Sequence, residues 1–353
     1  MPWIPLCSYS YYQSLDGYRD LLARTLDWRE RLEWRLRFCA DHGVDYMGWM
    51  EGTDVGEECP QARTETRSIS DRESFTEVTT PVGKLTSISS YQAASYAFCP
   101  KKHEVETEED LRVVSFIAEN TRVTARWDRA VEYLDAVGDR GVGFSALTPP
   151  PLQEALLGRF EPETALMWAY EKNAQLLRYE QLLHKLNLRI CEIKAAGPLQ
   201  VFLNYGVVGL ALVSPAMIRE RYLPFISEYG AMLRSAGRVM ICHTSGEPIG
   251  AILHDIAQAG IGGLCGLSYP APRNTPEIWE IEKALPPETV LCGGPTPEFL
   301  YRAGRAQVRD LVRSLLERMA GCGRFLLGTA DDVVPGTPME NLEAVAEVVG
   351  EFR

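Results

Sequence analysis

Several features are missing from this chain of 353 residues, and each absence excludes a class of protein. No apolar run approaches the roughly 20 residues that a membrane-spanning helix needs, so we expect no membrane as a partner. Residues 1–20 lack a basic segment followed by an apolar core, so a secretory signal is not expected. We therefore expect a soluble, cytoplasmic protein.

Positive charge and paired cysteines are also scarce. The 36 Lys and Arg residues face 48 Asp and Glu residues, and the net charge of −12 would repel a phosphate backbone, so nucleic acid is not expected as a partner. The nine cysteines are widely spaced and form no CxxC pair, which excludes a zinc ribbon and a thioredoxin-type motif. Without a secretory signal we expect no disulfide framework, and most of the thiols to be small buried side chains.

The first half of the chain contains helical segments, one predicted hairpin and two strands. Thr, Ser and Val are frequent over residues 64–92, which predicts an antiparallel hairpin around Pro81–Lys84. Thr107 is the expected N-cap of the helix that follows, because acidic residues occupy its first turn. Helices are predicted over 14–42, 124–137 and 162–196, and strands over 44–50 and 141–147.

The second half repeats a strand and then a helix. Strands are predicted over 199–203, 238–242, 261–267, 289–292 and 324–328. Such alternation implies parallel pairing with right-handed crossovers. The seven strands, with one more missed in the first half, predict a (β/α)8 TIM barrel with an N-terminal helical and hairpin excursion, as a single domain over 1–353. An open doubly wound sheet is the alternative, but no glycine-rich turn follows a strand.

Polar residues at predicted strand ends are the candidates for a site, because (β/α)8 barrels carry their chemistry there. His243 directly follows the 238–242 strand and is one of five histidines. Its imidazole is a candidate metal ligand or acid–base group, or else a supporting or helix-capping residue. Glu247 is a further candidate ligand or acid, or a first-turn glutamate that favours the dipole of the next helix.

Two adjacent acids follow the 324–328 strand. Asp331 and Asp332 are candidates for a base, a substrate anchor or a hard metal ligand, or for a turn pair that bonds the local backbone. The sequence leaves open which of the two side chains faces the site, since a shift of one residue along a strand turns a side chain to the opposite face. The other residues expected to shape a substrate site are Asn204, Tyr205, Glu51 and Tyr269. Cys265 and Cys292 are expected to be buried structural thiols.

Six short blocks, in this order, resemble the uroporphyrinogen decarboxylase superfamily, which also contains zinc-dependent methyltransferases that act on methylcobalamin. The blocks are Thr80–Gly83, Thr107–Leu111, Asn204–Gly206 with Ser214–Pro215, Cys242–Gly246, Gly293–Gly294 and Gly336–Leu342. The family fold is a (β/α)8 barrel, as the alternation of strands and helices also predicts.

Departures from the family blocks narrow the activity that the resemblance implies. Residues 1–50 lack the arginine-rich block with which the decarboxylases grip substrate carboxylates, and Asp331 stands where they place a histidine. His243 matches the histidine of the H-x-C zinc pair, but Ser245 replaces its cysteine and Asp331 replaces the later cysteine. The implied metal site therefore has harder nitrogen and oxygen ligands in place of thiolates, with His243, Asp331 and Glu247 as ligands of Zn²⁺ or another divalent ion.

This pattern is most similar to the corrinoid-dependent methyltransferases of the uroporphyrinogen decarboxylase-like type. We expect a methyl group to move between a small ether, amine or similar donor and a corrinoid protein. The corrinoid would come with that partner, since no D-x-H-x-x-G motif occurs in the chain. A decarboxylase of a small carboxylated substrate, with Arg273 as one basic group, and a non-catalytic barrel are the alternatives. The sequence leaves open whether the chain forms a homodimer.

Overall fold

The structure, a computed structural model, describes residues 1–7, 9–50, 52–94, 96–206 and 212–352. Its strands are β1 (Trp3–Ile4), β2 (Tyr46–Trp49), β3 (Val55–Glu58), β4 (Arg63–Ser70), β5 (Glu73–Thr80), β6 (Gly83–Gln92), β7 (Ala97–Lys102), β8 (Arg122–Ala125), β9 (Gly141–Leu147), β10 (Val201–Asn204), β11 (Val239–His243), β12 (Gly263–Tyr269), β13 (Val290–Pro295) and β14 (Phe325–Gly328). Its helices are α1 (Tyr9–Ser14), α2 (Asp16–Arg24), α3 (Trp28–Asp41), α4 (Glu108–Asn120), α5 (Trp127–Val137), α6 (Pro151–Glu154), α7 (Pro162–Tyr170), α8 (Ala174–Ala196), α9 (Pro215–Arg221), α10 (Leu223–Ser235), α11 (Leu253–Gln258), α12 (Ile278–Ala284), α13 (Pro297–Arg302), α14 (Arg305–Arg318) and α15 (Met339–Glu351). Short 3₁₀ turns lie at Gly138–Arg140 and Gly250–Ile252, and a π-type turn lies at Ala155–Arg159.

Eight of the strands form one parallel sheet in the order β1-β14-β13-β12-β11-β10-β9-β2, which confirms the predicted (β/α)8 barrel. The strand that the sequence did not reveal is β1, whose two residues are too few to show a period. Between the described residues of β1 and β2 there is no ladder. Instead the Asp45 N–H donates to the Trp3 carbonyl at 2.8 Å, and the Trp3 N–H donates to the Asp45 carboxylate at 2.8 Å. The barrel is therefore nearly closed, with a seam between β1 and β2.

Two long helices predicted from periodicity are each divided in the structure. The 14–42 segment contains α2 and α3, and the Asp27 side chain caps α3 by accepting from the Arg29 N–H. The 162–196 segment divides into α7 and α8, where the Asn173 side chain caps α8. Apolar spacing alone does not show these breaks, because the caps that start a new helix are single polar residues. No helix in the described ranges has both the length and the apolar character needed to cross a membrane.

The predicted hairpin is confirmed and is part of a larger sheet. Strands β5 and β6 pair antiparallel up to Thr80 and Gly83, on either side of the predicted turn. Strands β4 and β7 extend them to a four-stranded sheet outside the barrel. Thr107 caps α4 as predicted, in a capping box with Asp110.

Most barrel strands contribute one or two inward-facing side chains, and these fill the interior of the barrel. Its members are Phe144, Leu203, Ile241, Cys265 and Cys292, with Met47, Val201, Val239 and Leu326 packed against them. Side chains alternate between the two faces of a strand, so the residue after Ile241 faces the helices and His243 faces the interior again. The strand period therefore places the His243 ring at the inner, C-terminal end of β11.

A buried ion pair joins the helices on one side of the barrel. The Arg221 guanidinium lies 2.5 Å from the Glu180 carboxylate, and their side chains are 8% and 6% exposed. Arg221 also donates to the carbonyl of Ala169. Burial raises the pKa of Glu180, and the Arg221 charge opposes that rise.

Replacing Arg221 with methionine is expected to lower the free energy of unfolding by about 3–5 kcal/mol, because the buried Glu180 carboxylate loses its counter-charge. A carboxyl whose pKa is raised by folding stabilises the protein at low pH and loses that contribution as the pH rises through the raised pKa. Urea unfolding of the Arg221→Met variant should therefore show a larger loss at alkaline than at acidic pH. The double variant Arg221→Met/Glu180→Leu should recover most of the stability. An equal loss at both pH values would contradict this account.

Candidate active site

His243 lies between a thiol and a carboxylate at the C-terminal end of the barrel. The side chain is buried, with the residue 8% exposed. Its Nδ1 lies 3.2 Å from the Cys265 Sγ, and its Nε2 lies 3.4 Å from the Asp331 Oδ1. His243 and Cys265 are also register partners in β11 and β12. The structure thus brings together His243 and Asp331 from the predicted set and adds Cys265 as a contact of the ring.

A bulge in β12 makes room for the His243 ring. The register between β12 and β13 shifts between Leu264 and Leu267. Gly266 in this bulge has a φ of +79°, and a Cβ there would lie 2.9 Å from the His243 Nδ1. Bulges often redirect a side chain beside a functional site, and this one requires glycine.

Hydrogen bonds from the turn after β11 hold it against the bulge. The Thr244 N–H donates to the Cys265 carbonyl at 2.9 Å, and the Thr244 hydroxyl donates to the Gly266 carbonyl at 2.6 Å. The Gly246 N–H donates to the same Gly266 carbonyl at 2.7 Å. These bonds fix the backbone on both sides of the ring.

The environments of Asp331 and Cys265 give them opposite protonation states. Burial acts to raise the pKa of the Asp331 carboxyl, but hydrogen bonds from His243, from the Asp332 N–H at 2.7 Å and from Ser245 together hold it below its usual range. Burial, with the Asp331 charge among the smaller causes, raises the pKa of the Cys265 thiol well above its usual value. Asp331 is therefore a carboxylate that only accepts hydrogen bonds, and Cys265 is a thiol with a proton to donate.

For the neutral form of the His243 ring, these two states assign the tautomer. The Asp331 carboxylate accepts from Nε2, so Nε2 carries the proton and Nδ1 accepts the Cys265 S–H. The 3.4 Å separation between Nε2 and Oδ1 is long for a hydrogen bond, and such separations in unliganded sites often shorten when substrate binds. The arrangement places a buried imidazole N–H against a half-exposed carboxylate at the mouth of the barrel.

The zinc site implied by the resemblance needs three protein ligands in an open coordination shell. Among the described residues, no group of three His, Cys, Asp or Glu side chains is arranged to hold a metal ion. The Cys265 thiol lies at Nδ1 and the Asp331 carboxylate at Nε2, so they flank opposite nitrogens of the His243 ring. The described residues therefore do not fit a three-ligand zinc site. Zinc binding stays a prediction, which metal analysis of the purified protein beside His243→Ala tests.

A cavity of about 270 Å³ lies at the seam between β1 and β2, and Asp332 is among its lining residues. We call it the aromatic cavity, and the lining residues that matter below are Tyr12, Arg35, Tyr46, Trp49, Phe144 and Asp332. They come from α1, α3, β2, β9 and the segment after β14, so the cavity lies over the C-terminal strand ends. The rings of Trp49 and Phe144 pack at a centroid distance of 4.5 Å. The two predicted acids therefore have different surroundings, since Asp331 contacts His243 and Asp332 lines the cavity.

The other predicted substrate residues are divided between the mouth and the helical layer. Tyr205 is partly exposed at the mouth, with its ring 6.2 Å from that of Trp49. Asn204 faces the helices instead, because Leu203 occupies the inner position of β10; its amide donates to the Thr148 carbonyl at 3.1 Å and accepts from the Tyr222 hydroxyl at 3.3 Å. Glu51 lies outside the described residues.

Tyr269 and Glu247 are also placed by the structure. The Tyr269 hydroxyl lies 2.9 Å from the Ser314 Oγ on α14, and its ring packs on Trp279 of α12, so this side chain belongs to the helical layer. Glu247 follows the turn after β11, where its N–H donates to the Thr244 carbonyl at 2.9 Å. Its predicted role as a ligand or acid stays a prediction.

A second, smaller cavity of about 200 Å³ lies between the barrel wall and α8. Lys194 and Ser145 line it, and both contact the buried Asp54. The Lys194 Nζ lies 2.6 Å from the Asp54 Oδ1 and 2.8 Å from the Ser145 Oγ, and the Ser145 hydroxyl donates to Asp54 at 2.7 Å. These groups satisfy one another, so the cluster supports the β2–β9 side of the mouth.

Two functional candidates were missed by the sequence reasoning. Cys265 was assigned to structure alone, and only its cross-strand position opposite His243 reveals the contact. Arg35 carries a signal that could have been used, because it is a charged residue within the buried stripe of α3 that includes Leu32, Leu36 and Cys39. A buried charge on an apolar helix face is costly unless it is paired, so such a residue is a reason to look for a polar site nearby.

The assigned tautomer predicts a definite ¹⁵N NMR spectrum for His243. In the wild-type protein at alkaline pH, where the ring is neutral, Nε2 should carry the proton and Nδ1 should have the shift of an unprotonated nitrogen. The Asp331→Asn variant should populate the Nδ1–H form, because an amide no longer requires a donor at Nε2. His184 serves as an internal control, since its ring nitrogens contact Tyr229 and Glu228 and not the site. A wild-type Nδ1–H form would contradict the assignment.

Alanine at Gly266 should destabilise the protein and displace the His243 ring. Both the left-handed backbone and the contact of the new Cβ with the ring contribute, and together we expect a loss of about 2–4 kcal/mol. Gly237→Ala is the matched control, because its φ is +72° but nothing lies within 4 Å of a Cβ there. Chemical denaturation should show a clearly larger loss for Gly266→Ala. Equal losses would mean that the ring adapts without cost.

Comparison with known proteins gives the family of the chain. The family model of uroporphyrinogen decarboxylase (URO-D) matches residues 159–352, a range that includes His243, Cys265 and Asp331. The uroporphyrinogen decarboxylases of two strains of Thermus thermophilus are each 29% identical over 182 residues. That alignment covers 49% of this chain and 49% of each relative, so the chain matches about half the length of these curated relatives.

A solved structure agrees with the architecture. The methyltransferase from Methanosarcina mazei superposes with a TM-score of 0.60 at 14% identity, covering 100% of this chain and 94% of that protein. At this identity the likeness supports the shared fold. The family model matches more than half of the chain, and the barrel agrees with that match. This chain therefore belongs to the uroporphyrinogen decarboxylase (URO-D) family.

Proposed function

We propose that this member of the URO-D family transfers a methyl group between a small molecule and a corrinoid protein. The observation that carries the proposal is the aromatic cavity of about 270 Å³, which is lined by Asp332, the residue that follows Asp331 of the His243–Asp331 pair. Pockets for drug-sized ligands measure roughly 300–1,000 Å³, so this cavity suits one small molecule. A porphyrinogen with several carboxylates would need a larger and more basic site.

The residues of the chain supply positioning and a hydrogen-bond donor for such a transfer. When the bond between methyl carbon and heteroatom breaks, the electron pair stays on the heteroatom. The single Nε2 proton of His243 is the donor for that atom, and the long 3.4 Å contact with Asp331 lets the proton be shared between the carboxylate and the heteroatom. The Asp331 carboxylate keeps that proton on Nε2 and stabilises positive charge on the ring. Tyr46, Trp49 and Phe144 exclude water from the donor and hold it in one orientation.

The corrinoid of the partner, when bound, supplies the cobalt that accepts or gives the methyl group. Trp49 and Tyr205 are the described features that suit it, because both are partly exposed aromatic side chains at the mouth, 38% and 39% exposed. A flat, largely apolar macrocycle can pack on such rings. The corrinoid partner is part of this proposal.

A decarboxylase of a small carboxylated substrate is the second candidate, and one observation favours it. Arg35 lines the aromatic cavity and is 6% exposed, so a carboxylate could pair with a buried guanidinium there. Arg273, the basic residue considered from the sequence, is exposed in the turn after β12. The matched Thermus thermophilus relatives carry the name uroporphyrinogen decarboxylase.

The test measures methylation of cob(I)alamin by absorbance with a panel of small ethers, methylated amines and methanol. We expect one donor class to react, and both His243→Ala and Asp331→Asn to lower kcat by about a hundredfold, because the donor to the departing heteroatom is lost or misdirected. His254→Ala is the matched control, since His254 lies on α11 and its ring contacts Gln258. Release of CO₂ from a small carboxylate without methyl transfer would establish the second candidate. If neither reaction is observed, the remaining alternative is a non-catalytic barrel.

A further inference from the structure

The aromatic cavity carries charges of both signs within aromatic walls. We propose that it binds a small zwitterion with a methylated ammonium group at one end and a carboxylate at the other. This inference rests on the proposed function, for which it names the class of methyl donor. The binding itself is testable without a corrinoid.

The aromatic walls suit the methylated ammonium group. Tyr12, Tyr46, Trp49 and Phe144 surround the cavity, and their ring faces carry partial negative charge. Quaternary ammonium groups are recognised by such aromatic enclosures, because the cation gains electrostatic attraction while its methyl groups leave water. Met47 and Met50 complete the apolar lining.

The charge balance of the lining suits a zwitterion better than a simple ion. Among the described lining residues, Arg35 and Asp332 are the charged ones. Burial raises the pKa of both the Cys7 thiol and the Tyr12 hydroxyl, so these neighbours are neutral. A plain cation would meet the Arg35 guanidinium, and a plain carboxylate would meet the Asp332 carboxylate. Both residues also have interactions within the protein, and a zwitterion adds one opposite charge beside each of them.

The positions of the two charged residues in the fold determine the orientation of the ligand. Arg35 lies on α3 and presents a planar guanidinium, whose five donors can hold a carboxylate in a bidentate pair while keeping contacts within the protein. Asp332 follows β14 and is adjacent to Asp331. The carboxylate end of the ligand therefore lies toward α3. The methylated nitrogen lies toward Asp332, the residue that follows Asp331.

The experiment is isothermal titration calorimetry of the full chain with three matched probes. Glycine betaine carries both charges, choline lacks the carboxylate, and 3,3-dimethylbutanoate replaces the ammonium nitrogen with carbon. We expect glycine betaine to bind about tenfold or more tightly than either of the other two, since each lacks one charge-specific contact. Weak or equal binding of all three would overturn the proposal.

Two variants assign each charge to its residue. Arg35→Gln should weaken the binding of glycine betaine and 3,3-dimethylbutanoate by about tenfold, and choline should bind as tightly or more tightly because a like charge is removed. Asp332→Asn should weaken the binding of glycine betaine and choline, and 3,3-dimethylbutanoate should bind as tightly or more tightly for the same reason. Asp332 is exposed, so its variant keeps the test valid if Arg35→Gln fails to fold. Arg302→Gln is the matched control, because Arg302 pairs with Glu298 on the surface of α13.

The outcomes separate this proposal from the proposed function. If glycine betaine binds with the predicted pattern but no methyl group is transferred, the zwitterion site stands and the methyltransferase proposal falls. If another donor is demethylated and glycine betaine does not bind, only the zwitterion site falls. If 3,3-dimethylbutanoate binds as tightly as glycine betaine, the ammonium half of the proposal is wrong and the cavity is a carboxylate site.

Discussion

The site depends on the fit between one imidazole ring and a bulged strand. The interior of the barrel is filled by side chains up to the level of Ile241, and the next inward position on β11 belongs to His243. There is space for the ring because β12 bulges at Gly266, which has no side chain. Thr244 then bonds the turn after β11 to the bulge, and this fixes the ring between Cys265 and Asp331. The protonation states and the tautomer follow from that placement.

Much of the fold could be predicted because its signals are local. Seven barrel strands alternate with helices, and their apolar bodies and polar ends are visible in the sequence, whereas the two residues of β1 show no pattern. The same counting also predicts the direction of the Asn204 side chain. With Leu203 inside the barrel, the period of two sends Asn204 to the helices, where it bonds Thr148 and Tyr222.

The site could be predicted only in part, because its contacts join distant segments. His243 and Asp331 were found from their strand ends, which a barrel brings to one face. The contact between His243 and Cys265 depends on cross-strand register, and a bulge changes that register without a sequence signal beyond one glycine. Arg35 reaches the aromatic cavity from α3 beside the seam between β1 and β2, and no periodicity in the sequence predicts that seam.

Ser245 and Asp331 stand where the resemblance to the zinc-dependent methyltransferases implies two cysteine ligands. Ser245 has a φ of +50° and helps to hold Asp331 as a carboxylate. A thiolate pair would bind a soft metal, whereas this arrangement keeps a hydrogen-bonded anion beside the cavity. An ionised Asp331 next to Asp332 repels polyanions and attracts cationic groups. On this basis, and because the cavity is small, we propose that the site favours a compact ligand with a positive end over a polycarboxylate.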